Sequence, residues 1–104
     1  MTGVFPRSNY VVTARFTLRP DSISRMRIHT HDLTTASRAE NGCILYLFSE
    51  STEKEGEFSL IMIWRDEASY QRYAASDYVR AFTSNLSAGM LEKPPVFEKW
   101  RSLG

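Results

Sequence analysis

The residues of this chain best suited to chemistry are Trp64, Tyr70 and Tyr73, in the run EFSLIMIWRDEASYQRYAASDY from Glu57 to Tyr78. A Trp closing an apolar strand, followed by tyrosines on the next helix, can line a flat aromatic pocket. The indole of Trp64 can stack on a ring system and donate its N–H to an oxygen. The hydroxyls of Tyr70 and Tyr73 can hydrogen-bond a developing oxyanion. Packing in a core or an interface would use the same residue types.

Other residues can be weighed the same way. His29 and His31 form an HxH pair on a helix, where side chains two apart point about 200° from each other and cannot share a metal. His29 borders the apolar stripe and can edge a pocket as a proton acceptor near neutral pH, or lie on a solvated surface. Arg15 is on the sheet face opposite Phe16, so if a partner closes that face its charge needs a carboxylate or a polar ligand. Cys43, between Gly42 and Ile44, has no cationic cluster around it in sequence and reads as a packing thiol rather than a nucleophile. No nucleophile elbow and no phosphate-cradling Gly-rich loop occurs.

The elements that must position these residues are legible from pattern. Residues 1–8 read as a loose N-terminal arm and 9–104 as one domain. Tyr10 to Leu18 alternates as a strand. Pro20 and Asp21 stop it and open a helix, capped by Asp21 or Ser22. That helix runs to about Ala39 on the spacing of Ile23, Met26, Thr30 and Leu33, and Asn41-Gly42 ends it. Cys43–Glu50 and Glu57–Trp64 are strands apolar on both faces, joined by a charged hairpin loop. In the first of these, strict alternation groups Cys43 with Leu45 and Leu47, and Ile44 with Tyr46 and Phe48. Asp66 to about Leu86 is helical in two pieces hinged near Ser76-Asp77. Pro94-Pro95 precedes a last strand, Val96 to Trp100.

The order βαββαβ predicts an α+β, ferredoxin-like domain: a four-stranded antiparallel sheet with helices on one face. Large apolar residues on the second face call for a cover, since each left in water forgoes roughly 1.5–3 kcal/mol. A second copy of the chain is the simplest one, which predicts a homodimer through the sheet face.

Bulk properties narrow the function classes. The chain has 104 residues, 42% hydrophobic and 24% charged, with a net charge of +1 and one cysteine. That charge gives no footprint for nucleic acid or an anionic membrane. An RNA-binding module shares the βαββαβ order, but its third strand should carry a basic-Gly-aromatic motif, whereas this one reads GEFSLIMIW. Leu60–Trp64 is too short to span a bilayer, the N-terminus does not resemble a signal peptide, and a single cysteine makes no disulfide framework. The expected location is cytoplasmic.

With this layout, the segments VVTARFTLRP, SRAENGCILYLF, the strand-Trp-helix run and KPPVFEKW resemble the antibiotic biosynthesis monooxygenase family from about Val11 to Val96. The resemblance implies a dimeric α/β barrel and cofactor-independent oxidation, by dioxygen, of a small reduced aromatic substrate such as an anthrone or hydroquinone, with no metal or flavin. Family members that form quinones have a Trp at the end of the third strand and a Tyr six residues later. Trp64 and Tyr70 match, and they are the implied catalytic pair. Tyr73, His29 and Arg15 are the candidates for substrate contact. The Asn such enzymes carry four residues before the Trp is Leu60 in this chain, and the His that many members carry nine residues after it is Tyr73. Haem-degrading relatives pair a first-strand Asn with a helical His, and the corresponding positions offer Ala14 and no His. A non-catalytic ligand-binding or regulatory dimer and a cofactor-free isomerase are the alternatives, because fold alone does not choose among them.

Overall fold

The computed structural model describes residues 8–103; the expected N-terminal arm therefore falls, apart from exposed Ser8, outside the described residues. Strand β1 (Tyr10–Thr17) is followed by a 3₁₀ turn (Pro20–Ser22) and helix α1 (Ile23–Arg38). Strands β2 (Cys43–Glu50) and β3 (Glu57–Trp64) form a hairpin, helices α2 (Glu67–Ala74) and α3 (Asp77–Ser87) follow, and β4 (Val96–Arg101) closes the chain. The sheet order is β2-β3-β1-β4 with every neighbour antiparallel, the ferredoxin-like arrangement.

Alternation sends Val12, Ala14 and Phe16 of β1 and Phe58, Leu60, Met62 and Trp64 of β3 to one face, where all are buried. Ile23, Met26 and Leu33 of α1, Tyr73 of α2 and Val79 and Leu86 of α3 complete that core. The helices thus cover a single face, as the pattern required. Of the two candidates Ser22 takes the N-cap position of α1, but its hydroxyl makes no capping bond; it donates to Asp21 Oδ1 and accepts from the Arg25 guanidinium. Asp66 does cap α2, accepting from the Ser69 amide at 2.8 Å. Ser76, extended at φ −68° and ψ 151°, separates α2 from α3.

Two expectations need correction. The barrel is not formed: β2 and β4 are the two free edges of an open sheet. Closure needs a continuous ring of paired strands, about eight for an interior that side chains can fill; four strands with two unpaired edges cannot provide one. The second correction concerns β2. Its register shifts between Cys43 and Leu45, so a bulge at Ile44 breaks strict alternation. Cys43 therefore joins Tyr46 and Phe48 on the core side, while Leu45 and Leu47 point outward. Together with Ile61, Val96 and Trp100 they leave an uncovered apolar outer face.

Candidate functional site

Trp64 is the last residue of β3, paired with Tyr10 on one side and Cys43 on the other. Its place on the inward face, and the immediate start of α2 at the Asp66 cap, bring α2 down onto its ring. Tyr70 and Tyr73, three apart on α2, share a helix side and both meet the indole, at ring-centroid distances of 6.5 and 4.8 Å. The two tyrosine rings lie 6.0 Å apart. Tyr10 packs on Tyr70 at 5.4 Å, and Lys99 Nζ stands 5.5 Å from the centroid of the same ring. Three of the five expected site residues are thus brought together.

Beside this cluster, between the sheet and α2–α3, lies an apolar cavity of about 150 Å³. Leu60, Met62 and Phe16 form its floor, Tyr70 and Tyr73 one wall, and Phe82 and Leu86 another. Phe97 of β4, 50% exposed, stands at its rim. Trp64 does not line the cavity. It is fully buried, and its Nε1 has no hydrogen-bond partner, so the two tyrosines, rather than the indole, line the cavity. His29 lies behind the Phe82 wall with rings 6.5 Å apart and edge-on. Arg15 is on the opposite face of the sheet, mostly exposed and paired with Glu57 at 3.3 Å. His31 is exposed on α1, and the half-buried Cys43 thiol is pushed up by burial. Among the described residues no cluster of His, Cys, Asp and Glu could hold a metal ion, and no helix is long and apolar enough to cross a membrane.

A group of hydroxyls extends from the tyrosine wall into the α1 side of the core. Tyr73 and Tyr46 share a hydrogen bond of 2.7 Å between their hydroxyls. Tyr78 donates to Glu40 Oε2 at 2.7 Å. The Ser37 hydroxyl sits beside all three tyrosines yet makes no bond of good geometry and is fully buried. Burial pushes the phenols of Tyr46 and Tyr78 up to about 12, the latter helped by its bond to Glu40. Burial raises Tyr73 further and Tyr70 as well. These tyrosines are neutral hydrogen-bonding groups, not resting phenolates. Sequence reading overlooked Ser37, Glu40, Tyr46 and Tyr78. Ser37 lies one helical turn beyond Leu33 on the buried stripe of α1, which was the one signal available.

Comparison with known proteins bears on this site. A family model described as antibiotic biosynthesis monooxygenase matches residues 9–84, the span from β1 through most of α3. An uncharacterized protein of Synechocystis is 27% identical over 84 residues, covering 81% of this chain, and the chain covers only 56% of that relative's length. The solved structure of Rv0793 from Mycobacterium tuberculosis superposes with a TM-score of 0.85 at 27% identity, covering 92% of this chain and 96% of that one. PA3566 from Pseudomonas aeruginosa matches with a TM-score of 0.84 over 93% and 96% of the two chains; at 23% identity it speaks to the fold alone.

Proposed function

This chain belongs to the antibiotic biosynthesis monooxygenase family, and we propose that it oxidises a small reduced aromatic compound with dioxygen, without a metal or organic cofactor. The observation that carries the reading is the apolar cavity walled by Tyr70 and Tyr73, with Trp64 packed behind them. A cavity of about 150 Å³ is the size that takes one benzene ring. We therefore assign the substrate to single-ring hydroquinones and phenols rather than three-ring anthrones.

The chemistry asks little of the protein beyond binding, proton removal and anion stabilisation. Loss of a phenolic proton leaves an electron-rich anion, which passes one electron to dioxygen. The radical pair joins at a ring carbon as a peroxide anion, which takes back one proton, the equivalent of the one lost at the start, to become a hydroperoxide. Cleavage of its O–O bond releases one oxygen atom as water and leaves the other in a hydroxyquinone. In this reading Tyr70 hydrogen-bonds the developing oxyanion, and Trp64 fixes the slope of both tyrosine rings without touching substrate. His29 acts through Phe82, and Arg15 belongs to the outer face rather than the pocket.

A second copy of the chain covers that outer face in the proposed functional state. The support is the exposure of Ile44, Leu45, Leu47, Ile61, Val96 and Trp100 on it, a loss of roughly 1.5–3 kcal/mol for each large side chain left in water.

The test is oxygen uptake by metal-stripped protein against panels of substituted hydroquinones and of anthrones, each corrected for autoxidation. Saturable uptake with hydroquinones, lowered at least about tenfold by Tyr70→Phe, is expected. Uptake confined to anthrones would refute the single-ring assignment. Binding of hydroquinones without uptake would favour the non-catalytic alternative, which the replacement of Asn by Leu60 and of His by Tyr73 also favours.

A further inference from the structure

Behind the cavity wall the aromatic rings touch one another in a chain that the proposed chemistry does not use. Tyr73, itself part of the wall, is the hub. Its ring centroid lies 4.8 Å from Trp64, 5.8 Å from Tyr46, 6.0 Å from Tyr70 and 6.3 Å from Tyr78. Phenylalanine would pack such a cluster with no buried polar atom to satisfy, and it does so elsewhere in the core, at Phe16 and Phe58. Here every ring is instead an indole or a phenol, the two aromatic types that give up an electron most readily. Rings in contact pass that electron by tunnelling, with no movement of the chain.

Where the oxidising equivalent comes to rest depends on where a proton can go, because a phenol is oxidised easily only when its hydroxyl proton leaves with the electron. The hydroxyls of Tyr73 and Tyr46 have each other, 2.7 Å apart, and a neutral phenol is no base. Trp64 is fully buried with Nε1 unpartnered, so an oxidised indole keeps its proton and stays a strongly oxidising radical cation. Tyr78 differs. Its hydroxyl donates to Glu40 Oε2 at 2.7 Å, and Glu40, in the turn after α1, is partly exposed and, among the described residues, in no ion pair. The nearest guanidinium in sequence, Arg38, is committed to the Tyr46 carbonyl oxygen at 2.9 and 3.1 Å.

We infer that Trp64, Tyr73 and Tyr78 form a one-electron relay that draws oxidising equivalents out of the cavity to Tyr78, with Glu40 taking the Tyr78 proton. The oxidant is an oxygen-centred radical. If the O–O bond of the hydroperoxide breaks homolytically, it leaves an alkoxyl and a hydroxyl radical. Either of them, taking one electron from Trp64 across the Tyr73 ring, becomes its anion and leaves Trp64 a radical cation. Tyr78 then gives one electron to Trp64 across the same ring, as its O–H bond breaks and a new one forms on Glu40. Trp64 is restored, Tyr78 becomes a neutral phenoxyl radical and Glu40 a neutral acid. Tyr78 is half-buried, within reach of a second hydroquinone, which restores it by giving a hydrogen atom. Glu40 releases its proton to water. The use of the relay rests on the proposed oxidation; the relay itself does not.

It can be tested without oxygen or substrate. Trp100, half-exposed on the outer face, is the other tryptophan of the chain, so in Trp100→Phe protein an ultraviolet laser flash ionises Trp64 alone. Hexaamminecobalt(III) takes up the ejected electron, and the indolyl and phenoxyl absorption bands are followed under argon. The indolyl band should decay as the phenoxyl band grows, at a rate independent of protein concentration and slower in D2O. Adding Tyr78→Phe or Glu40→Gln, each close in shape to the residue it replaces, should abolish phenoxyl growth. Tyr10→Phe should leave it unchanged. No phenoxyl growth in Trp100→Phe protein, growth that survives Tyr78→Phe or Glu40→Gln, or growth lost in Tyr10→Phe overturns the relay. The expected transfer without oxygen uptake on hydroquinones keeps the relay and removes oxidation. Oxygen uptake without the transfer keeps oxidation and removes the relay.

Discussion

Trp64→Phe isolates the contribution of an indole N–H that the fold buries without a partner. The side chain is fully buried against Tyr73, ring centroids 4.8 Å apart. Replacing indole by phenyl empties about 40 Å³, and at about 24 cal/mol per Å³ the void costs about 1 kcal/mol, to which the lost apolar transfer adds about 0.5 kcal/mol. Against this, the orphaned Nε1–H carries a desolvation cost of about 1–3 kcal/mol that phenylalanine removes. The two nearly cancel, so Trp64→Phe should change unfolding free energy by no more than about 1.5 kcal/mol in either direction. Trp64→Ala, which removes the ring altogether, should cost about 3–5 kcal/mol. The assay is urea unfolding followed by far-UV circular dichroism, at equal protein concentration so that association contributes equally. Tryptophan fluorescence is unsuitable because Trp100 would remain as the sole reporter. If Trp64→Phe proves nearly as costly as Trp64→Ala, the indole N–H is satisfied in solution and the reasoning fails. The same variant should lower oxygen uptake, because a phenyl ring leaves Tyr70 and Tyr73 less firmly held.

Three further outcomes are expected. Gly42→Ala should destabilise by about 1–3 kcal/mol in a thermal or urea melt, since Gly42 has φ +93° and an added Cβ would meet the Ser69 side chain, with Ser69 Cβ at 2.6 Å; an unchanged midpoint would mean that α2 shifts freely. Glu50 is held below the usual carboxylate range by the Arg27 side chain and the Gly56 amide, so its stabilisation is present above an unfolded value of about 4.3 and is lost as pH falls through the folded one. Melts of wild type and Glu50→Gln should therefore differ at neutral pH and converge in acid as pH falls through the lowered folded value, and a gap that persists after Glu50 is protonated would contradict the assignment. Ile61→Glu places a charge in the middle of the outer face and should yield a monomer by light scattering with the fold intact; a wild-type protein that is itself monomeric would remove the dimer.

Local pattern went far for this chain. Tyr10–Thr17, Cys43–Glu50, Glu57–Trp64 and both halves of the second helical region lie where alternation, helical spacing and the Pro and Gly signals put them, because those signals act within a few residues. The position of Trp64 next to Tyr70 and Tyr73 was also readable, since a strand end and the helix that follows it are tied by a two-residue turn.

What depended on register and on contacts distant in sequence was not readable. A one-residue bulge at Ile44 re-sorted the faces of β2, because period-two alternation carries no memory of an inserted residue. The resemblance to a barrel family did not make this sheet close, since closure depends on strand number and pairing around the edges. The depth of Trp64 behind its tyrosines followed from how α2 lies across β3. The hydroxyl group of Ser37, Tyr46, Tyr73 and Tyr78, ending on Glu40, draws on α1, β2, α2 and α3, four elements whose residues carry no shared spacing. Sequence sets which side of an element is apolar, through interactions that decay within a turn or two; which polar atoms meet inside is decided only when those apolar sides pack together.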